Sequence, residues 1–145
     1  MLNSVLLRQN PHNVAEWQKR VDLLEGKPRD VVNTFTEAVQ TIEPKQAVGK
    51  LSSLWVNFAK FYENNKQIED ARIIFEKATH VAYLKVCVSK HICVPKFLST
   101  FIDQVEDLAS VWCEWVEMEL RHDNWAESLK LLQRATAPPP RKVSY

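Results

Sequence analysis

Residues 51–80, LSSLWVNFAKFYENNKQIEDARIIFEKATH, hold two apolar rhythms divided by a polar break. In the first, Leu51, Leu54, Trp55 and Phe58 stand at i, i+3, i+4 and i+7, with Phe61 and Tyr62 continuing the stripe. That spacing places them on one face of a helix with 3.6 residues per turn. Asn64, Asn65 and Lys66 interrupt it, and Ile68, Ala71, Phe75 and Ala78 then form a second helical stripe. Two amphipathic helices joined by a turn of a few residues pack against each other as an antiparallel couple.

The couple recurs. From Trp55 to Ala78 is 23 residues; Trp112 to Ala135 is again 23, and Trp17 to Ala38 is 21. Around Trp112, the residues Leu108, Val111, Trp115 and Met118 repeat the first stripe, His122-Asp123-Asn124 make the break, and Trp125, Leu129, Leu132 and Ala135 give a second stripe. Around Trp17, Val21 and Leu24 lead to Gly26-Lys27-Pro28, where glycine suits a helix C-terminus and proline the first turn of the next helix. Val31, Phe35, Ala38 and Ile42 follow, and Pro44 stops that helix. Alanine at 38, 78 and 135 lets paired helices approach at the near end of the usual 8–10 Å range. The aromatics recur once per unit instead of converging, which marks them as core packing and not as a ligand cage.

The predicted fold is therefore all-α, a solenoid of antiparallel helix pairs with about three repeats. The units are expected at 10–44, 50–81 and 105–137, with 1–9 the end of a truncated preceding repeat and 138–145 a tail broken by Pro138, Pro139 and Pro140. Trp17 to Trp55 is 38 residues but Trp55 to Trp112 is 57, and the excess of about 20 falls at residues 84–102. That stretch, LKVCVSKHICVPKFLSTFI, has no acidic residue and carries Pro95. It reads as an insertion, either a loop or an apolar extension of the preceding helix.

Composition narrows the function. Two glycines, Gly26 and Gly49, are too few for the positive-φ turns of a β-sandwich or a nucleotide-binding α/β fold. With 19 basic against 18 acidic residues and no concentrated basic face, direct nucleic-acid binding is not expected. No stretch approaches the ~20 apolar residues that cross a bilayer. The three cysteines do not form a disulfide framework, which fits a reducing compartment. Cys87, His91 and Cys93 supply three metal-type ligands where a structural zinc site needs four, so no metal is expected. Nothing pairs a cysteine with a histidine and an acid beside an oxyanion loop, and no glycine loop cradles phosphate. Glu63 and Glu119, each near a first-helix end, read as one structural carboxylate used twice and paired with a basic neighbour. Neither enzyme activity nor a cofactor is expected; the exposed faces of the array are the remaining functional surface.

Trp55, Phe58, Ala59, Glu63, Ala71, Arg72 and Ala78 resemble the half-a-TPR (HAT) repeat of RNA-processing proteins, as do Trp112, Trp115, Glu119, Arg134 and Ala135. The third unit departs from that pattern at the Ala-Arg step, where Ser128 and Leu129 stand. The strings MLNSVLLRQNPHNVAEWQKRV, FTEAVQTIEP, LWVNFAKFYENN, EDARIIFEKAT and VEDLASVWCEWVEMELRHDN are similar to the family of HAT-repeat pre-mRNA splicing factors that bind the xeroderma pigmentosum group A protein and belong to the nineteen complex of the spliceosome. The resemblance implies a nuclear scaffold with spliceosomal proteins as partners and a link to transcription-coupled nucleotide excision repair. It also implies that Tyr83 runs nearly directly into Val105, which makes 84–102 an addition. A generic TPR-like adaptor and a HAT scaffold of RNA 3′-end processing are the alternatives.

Each unit buries its apolar face only on its neighbours, so three units sit at the practical minimum for stability. The isolated chain is expected to be marginally stable or to self-associate. A sharp monomeric thermal transition above about 65 °C, the top of the usual mesophile range, would overturn that expectation.

Overall fold

A computed structural model of the chain describes residues 2–89 and 97–137, with side chains described for 2–82 and 105–137. The described residues form α1 (Leu2–Gln9), α2 (Val14–Leu23), α3 (Pro28–Thr41), α4 (Leu51–Asn64), α5 (Ile68–Ser89), α6 (Phe97–Arg121) and α7 (Trp125–Thr136). Their only β pairing is an isolated bridge between Asn13 and Val48. It ties the start of α2 to the loop before α4 through Val14 N–H to Val48 O (3.0 Å) and Val48 N–H to His12 O (2.9 Å). The protein is all-α, and it is built as a stack of helix couples.

The helix ends follow local chemistry. Asn13 caps α2 by accepting from the Ala15 amide, and Pro28 occupies the first turn of α3, where its missing N–H is not needed. α4 and α6 both end on a residue with positive φ, Lys66 at 61° and Asp123 at 59°. The amide after each bonds back to the carbonyl five residues earlier, Gln67 to Tyr62 and Asn124 to Glu119, both at 2.9 Å. This is the Schellman closure, achieved here without the usual glycine. Gly26, at φ 91°, lies in the turn after α2, where the next amide, Lys27, bonds only three residues back to the Leu24 carbonyl at 3.0 Å.

The first helices α2, α4 and α6 form one layer, with α4 packed against both of the others. Each second helix packs against its own first helix and the next one: α3 on α2 and α4, α5 on α4 and α6. One aromatic rule seals the seams. Phe35 of α3 stacks on Phe58 of α4, centroids 4.8 Å apart, and Phe75 of α5 stacks on Trp115 of α6 at 5.9 Å. Ala38, Ala59, Ala71 and Ala78 are fully or almost fully buried in the same core, where a longer side chain would hold the helices apart.

The structure corrects the sequence reading at α7. The stripe Trp125, Leu129, Leu132, Ala135 was expected to face the core, but Trp125, Leu129 and Leu132 are exposed and Ala135 is half-buried. The buried positions are Ser128 and Leu131. Ser128 stands 57 residues after Ala71, and its small side chain, bonded to the Asn124 carbonyl, allows the close approach. Leu132 stands where Phe75 does in α5, on the face that the next first helix covers in α3 and α5, and no described helix lies there. The segment read as an insertion, 84–102, is helical where described: 84–89 continue α5 and 97–102 begin α6, while 90–96 lie outside the described residues.

Phe75→Ala should destabilise the chain by about 3–5 kcal/mol, the range for a fully buried aromatic whose cavity cannot collapse. Urea unfolding checks this; a loss below about 1 kcal/mol would mean that the Phe75–Trp115 stack does not hold the seam.

Candidate functional site

No group of three or more His, Cys, Asp or Glu side chains is placed to hold a metal ion among the described residues. No helix among them is long and apolar enough to cross a membrane. Of the Cys87, His91, Cys93 cluster, Cys87 lies on α5 with its side chain outside the described set, and the other two lie wholly outside it. The chemistry available resides in the seams and outer faces of the stack.

The residues singled out from the sequence divide by depth. Trp17, Ala38, Trp55, Phe58, Ala71, Phe75, Ala78 and Trp115 are buried in one continuous core. Trp112 and Ala135 are half-buried, and Leu132 is exposed. Trp17 also anchors its own unit, its indole N–H donating to the Pro11 carbonyl at 2.8 Å.

Between α5 and α6, Arg72 grips Glu119 with two parallel bonds, Nε to Oε1 and Nη2 to Oε2, both 2.7 Å. Its remaining nitrogen donates to Glu69 at 2.6 Å, and Asn124 donates to Glu119 Oε2 at 3.1 Å. Glu119 is 1% exposed. Burial alone raises its carboxyl, but the bonds and charge of Arg72, with Asn124, outweigh that and hold it below its ordinary value. Arg72 in turn is held further protonated by Glu119.

A second fork joins α6 to α4. Arg121 donates Nε to Glu63 Oε1 at 2.9 Å and Nη2 to Oε2 at 2.8 Å, with His122 Nε2 3.2 Å from the same carboxylate. Hydrogen bonding from Arg121 lowers the Glu63 carboxyl more than partial burial raises it. Both glutamates thus pair with arginines, as expected, but they are not one role used twice. Glu119 comes seven residues after Trp112 and Glu63 eight after Trp55, so they lie one helical position apart, on different faces. Lys60–Glu114 at 2.8 Å and Arg134–Glu76 at 2.7 Å add further ionic links between the second and third couples. The seam between the first and second carries no ion pair among the described residues; Asn57 donates to Gln18 there at 2.9 Å. Sequence reading missed these partners because they lie 47 and 58 residues apart. Arg72 following Ala71 was the available signal.

The outer layer forms grooves, since the backbones of α3 and α5 do not approach closely. Between α5 and α7, Arg134 lies over the rings of Trp112 and Trp115, 5.5 and 5.6 Å from their centroids, with its guanidinium on Glu76. Between α3 and α5 a cavity of about 770 Å³ is lined at its base by the buried Trp55 and Phe58 and the half-buried Tyr62 of α4.

A stack of aromatic-led helix couples with ring-stacked inter-couple seams is the architecture of a HAT-repeat array. The family model for the middle HAT repeat of pre-mRNA-splicing factor SYF1 matches residues 1–42, and the model for the C-terminal HAT repeat of Syf1/CRNKL1 matches 44–95 and 88–145. The chain belongs to this Syf1 family of HAT-repeat pre-mRNA splicing factors. Over 145 residues it is 59% identical to the Drosophila melanogaster pre-mRNA-splicing factor syf1 homolog and 54% identical to Homo sapiens SYF1, in each case over 100% of this chain. It is 44% identical to Schizosaccharomyces pombe cwf3 over 99% of the chain. It spans 14%, 15% and 16% of those relatives' lengths, respectively.

The lowered Glu119 and Glu63 carboxyls stabilise the fold above their ordinary value of 4.5, and that stabilisation is lost as pH falls through their lower folded values. Urea midpoints measured from pH 7 to 3 should therefore drop on the acid side, and Glu119→Gln should flatten part of that drop. Arg72→Met should cost about 3–5 kcal/mol at neutral pH, the penalty for stranding a buried charge. The cost should shrink towards pH 4 as Glu119 takes up a proton; a cost independent of pH would contradict the pairing.

Proposed function

We propose that the chain is a protein-docking scaffold segment of a spliceosomal pre-mRNA splicing factor, working in the nucleus through its surfaces and without enzymatic activity. The observation that carries this reading is the match of Syf1-family HAT models along both halves of the chain. The relatives, pre-mRNA splicing factors by name, support spliceosomal proteins as partners. The proposal extends to the nineteen complex as the assembly served, and to contact with the xeroderma pigmentosum group A protein in transcription-coupled repair.

The repeat units are proposed at 10–44, 50–81 and 105–137, flanked by 1–9 and 138–145, with Trp17, Trp55 and Trp112 as the equivalent anchors. Helix couples α2–α3, α4–α5 and α6–α7 support those boundaries. The segment 84–102 is proposed as an addition within the array, and the two stretches of family match overlapping at residues 88–95 support that placement.

Binding at such a surface spreads over many modest contacts, so photo-crosslinking is a better readout than activity. Probes on exposed positions of the tagged chain, in nuclear extract, should yield crosslinks enriched in spliceosomal proteins over a scrambled-surface control. An equal yield from chain and control would overturn the reading.

A further inference from the structure

We propose that the groove between α3 and α5 binds an extended partner segment that sets an apolar side chain on the aromatic floor and a carboxylate against Lys77 and His80. This rests on the docking reading above and specifies one of its surfaces.

The argument begins with the neighbouring groove, where the chain supplies its own occupant. Between α5 and α7, Arg134 covers Trp112 and Trp115 and is pulled into place by Glu76. Trp55 and Phe58, 57 residues before those tryptophans, make the matching floor between α3 and α5, with Tyr62 one turn further on. Lys77 stands in the place of Arg134 by the same interval. The α3 wall facing it, Thr36, Val39 and Gln40, lacks the acid that would draw it inward. The α3 position matching Glu76, by the forty-residue step from Ala38 to Ala78, is Thr36, whose hydroxyl donates to the Val32 carbonyl. Glu76 also borders the cavity, but Arg134 answers its charge.

The groove is therefore left open at about 770 Å³, within the range of ligand-binding clefts. Lys77 and His80 on its α5 rim are exposed and have no ion pair among the described residues. An aromatic floor with uncompensated bases on one wall favours an apolar–acidic ligand over a basic one. A helix is 10–12 Å across with its side chains, and two turns of it need roughly 1,000 Å³, so an extended strand of a few residues fits better. Gln40 on the α3 wall offers an amide to its backbone.

The test is selection of a phage-displayed random twelve-residue peptide library on the folded chain. Selected peptides should pair Asp or Glu with a nearby Leu, Phe or Trp. Their synthetic forms should bind a Lys77→Glu/His80→Glu variant at least about tenfold more weakly. They should bind Lys130→Glu, which makes the same kind of charge change on α7, as well as the parent. Circular dichroism confirms that each variant is folded. Failure to enrich any sequence, a Lys- or Arg-rich consensus, or equal loss on Lys130→Glu would overturn the proposal. Crosslinks to spliceosomal proteins surviving in the double variant would leave the scaffold reading standing without the groove, whereas their absence from the parent chain would remove both.

Discussion

The structure depends on one contact made twice: the aromatic ring of a second helix lying flat on an aromatic of the following first helix. Phe35 on Phe58 and Phe75 on Trp115 are inclined by only 12° and 9°. Neither Phe35 nor Phe75 can be buried by its own couple, because its partner ring belongs to the next one. A couple is thus incomplete until its neighbour arrives, and stability becomes a property of seams instead of units. The alanines at 38, 59, 71 and 78 follow from the same constraint: rings can stack face to face only if the backbones beneath come close. α7 shows the rule from its other side. Leu132, at the Phe75 position, meets no described first helix and remains exposed.

The two seams share this stack but differ in their polar chemistry. Among the described residues the first is apolar with one amide–amide bond, while the second includes two arginine forks, the Lys60–Glu114 and Arg134–Glu76 pairs and a Ser52–Asp107 hydrogen bond. An exposed pair such as Arg134–Glu76 contributes little, typically ~0–1 kcal/mol. A buried fork such as Arg72–Glu119 roughly breaks even against an apolar isostere, so bulk stability does not explain it. Its effect is directional. Two parallel bonds at 2.7 Å fix the rotation and the height of α6 on α5, which stacked rings alone permit to slide. The second seam is therefore pinned in register by charge, and it spans the couples between which residues 84–102 intervene. Where more chain separates two neighbours, sequence proximity does less to align them, and specific bonds do more.

The fold was legible because helical periodicity, a tryptophan anchor and an alanine at fixed distance are all local signals. The breaks at 26–28, 64–66 and 122–124 mark helix ends to within a residue or two. The surface was less legible. Trp125, Leu129 and Leu132 form as good an apolar stripe as any in the chain, yet which of two faces meets α6 was decided by Ser128, a residue that pattern reading counts as polar. Glu63 and Glu119 looked equivalent because they are one position apart in register, a shift of about 100° around a helix. The arginine forks join residues 47 and 58 apart, beyond any local rule. Sequence reading found what each helix is, but not how neighbouring helices are turned against each other.

Repetition makes small differences informative. The grooves α3/α5 and α5/α7 share an aromatic floor from the first-helix layer, so packing alone would make them alike. They diverge through two substitutions, lysine for arginine at 77 and threonine for glutamate at 36. A planar guanidinium is weakly hydrated and stacks on rings, whereas an ammonium keeps its water and stays at the rim. Without a facing carboxylate, nothing offsets the desolvation that would bring Lys77 over Phe58. One groove is thereby closed by the chain itself and the other left empty. In an array whose seams must be conserved in shape, the outer grooves are where side chains can vary without unsealing the core, and they are accordingly where neighbouring units can acquire different partners.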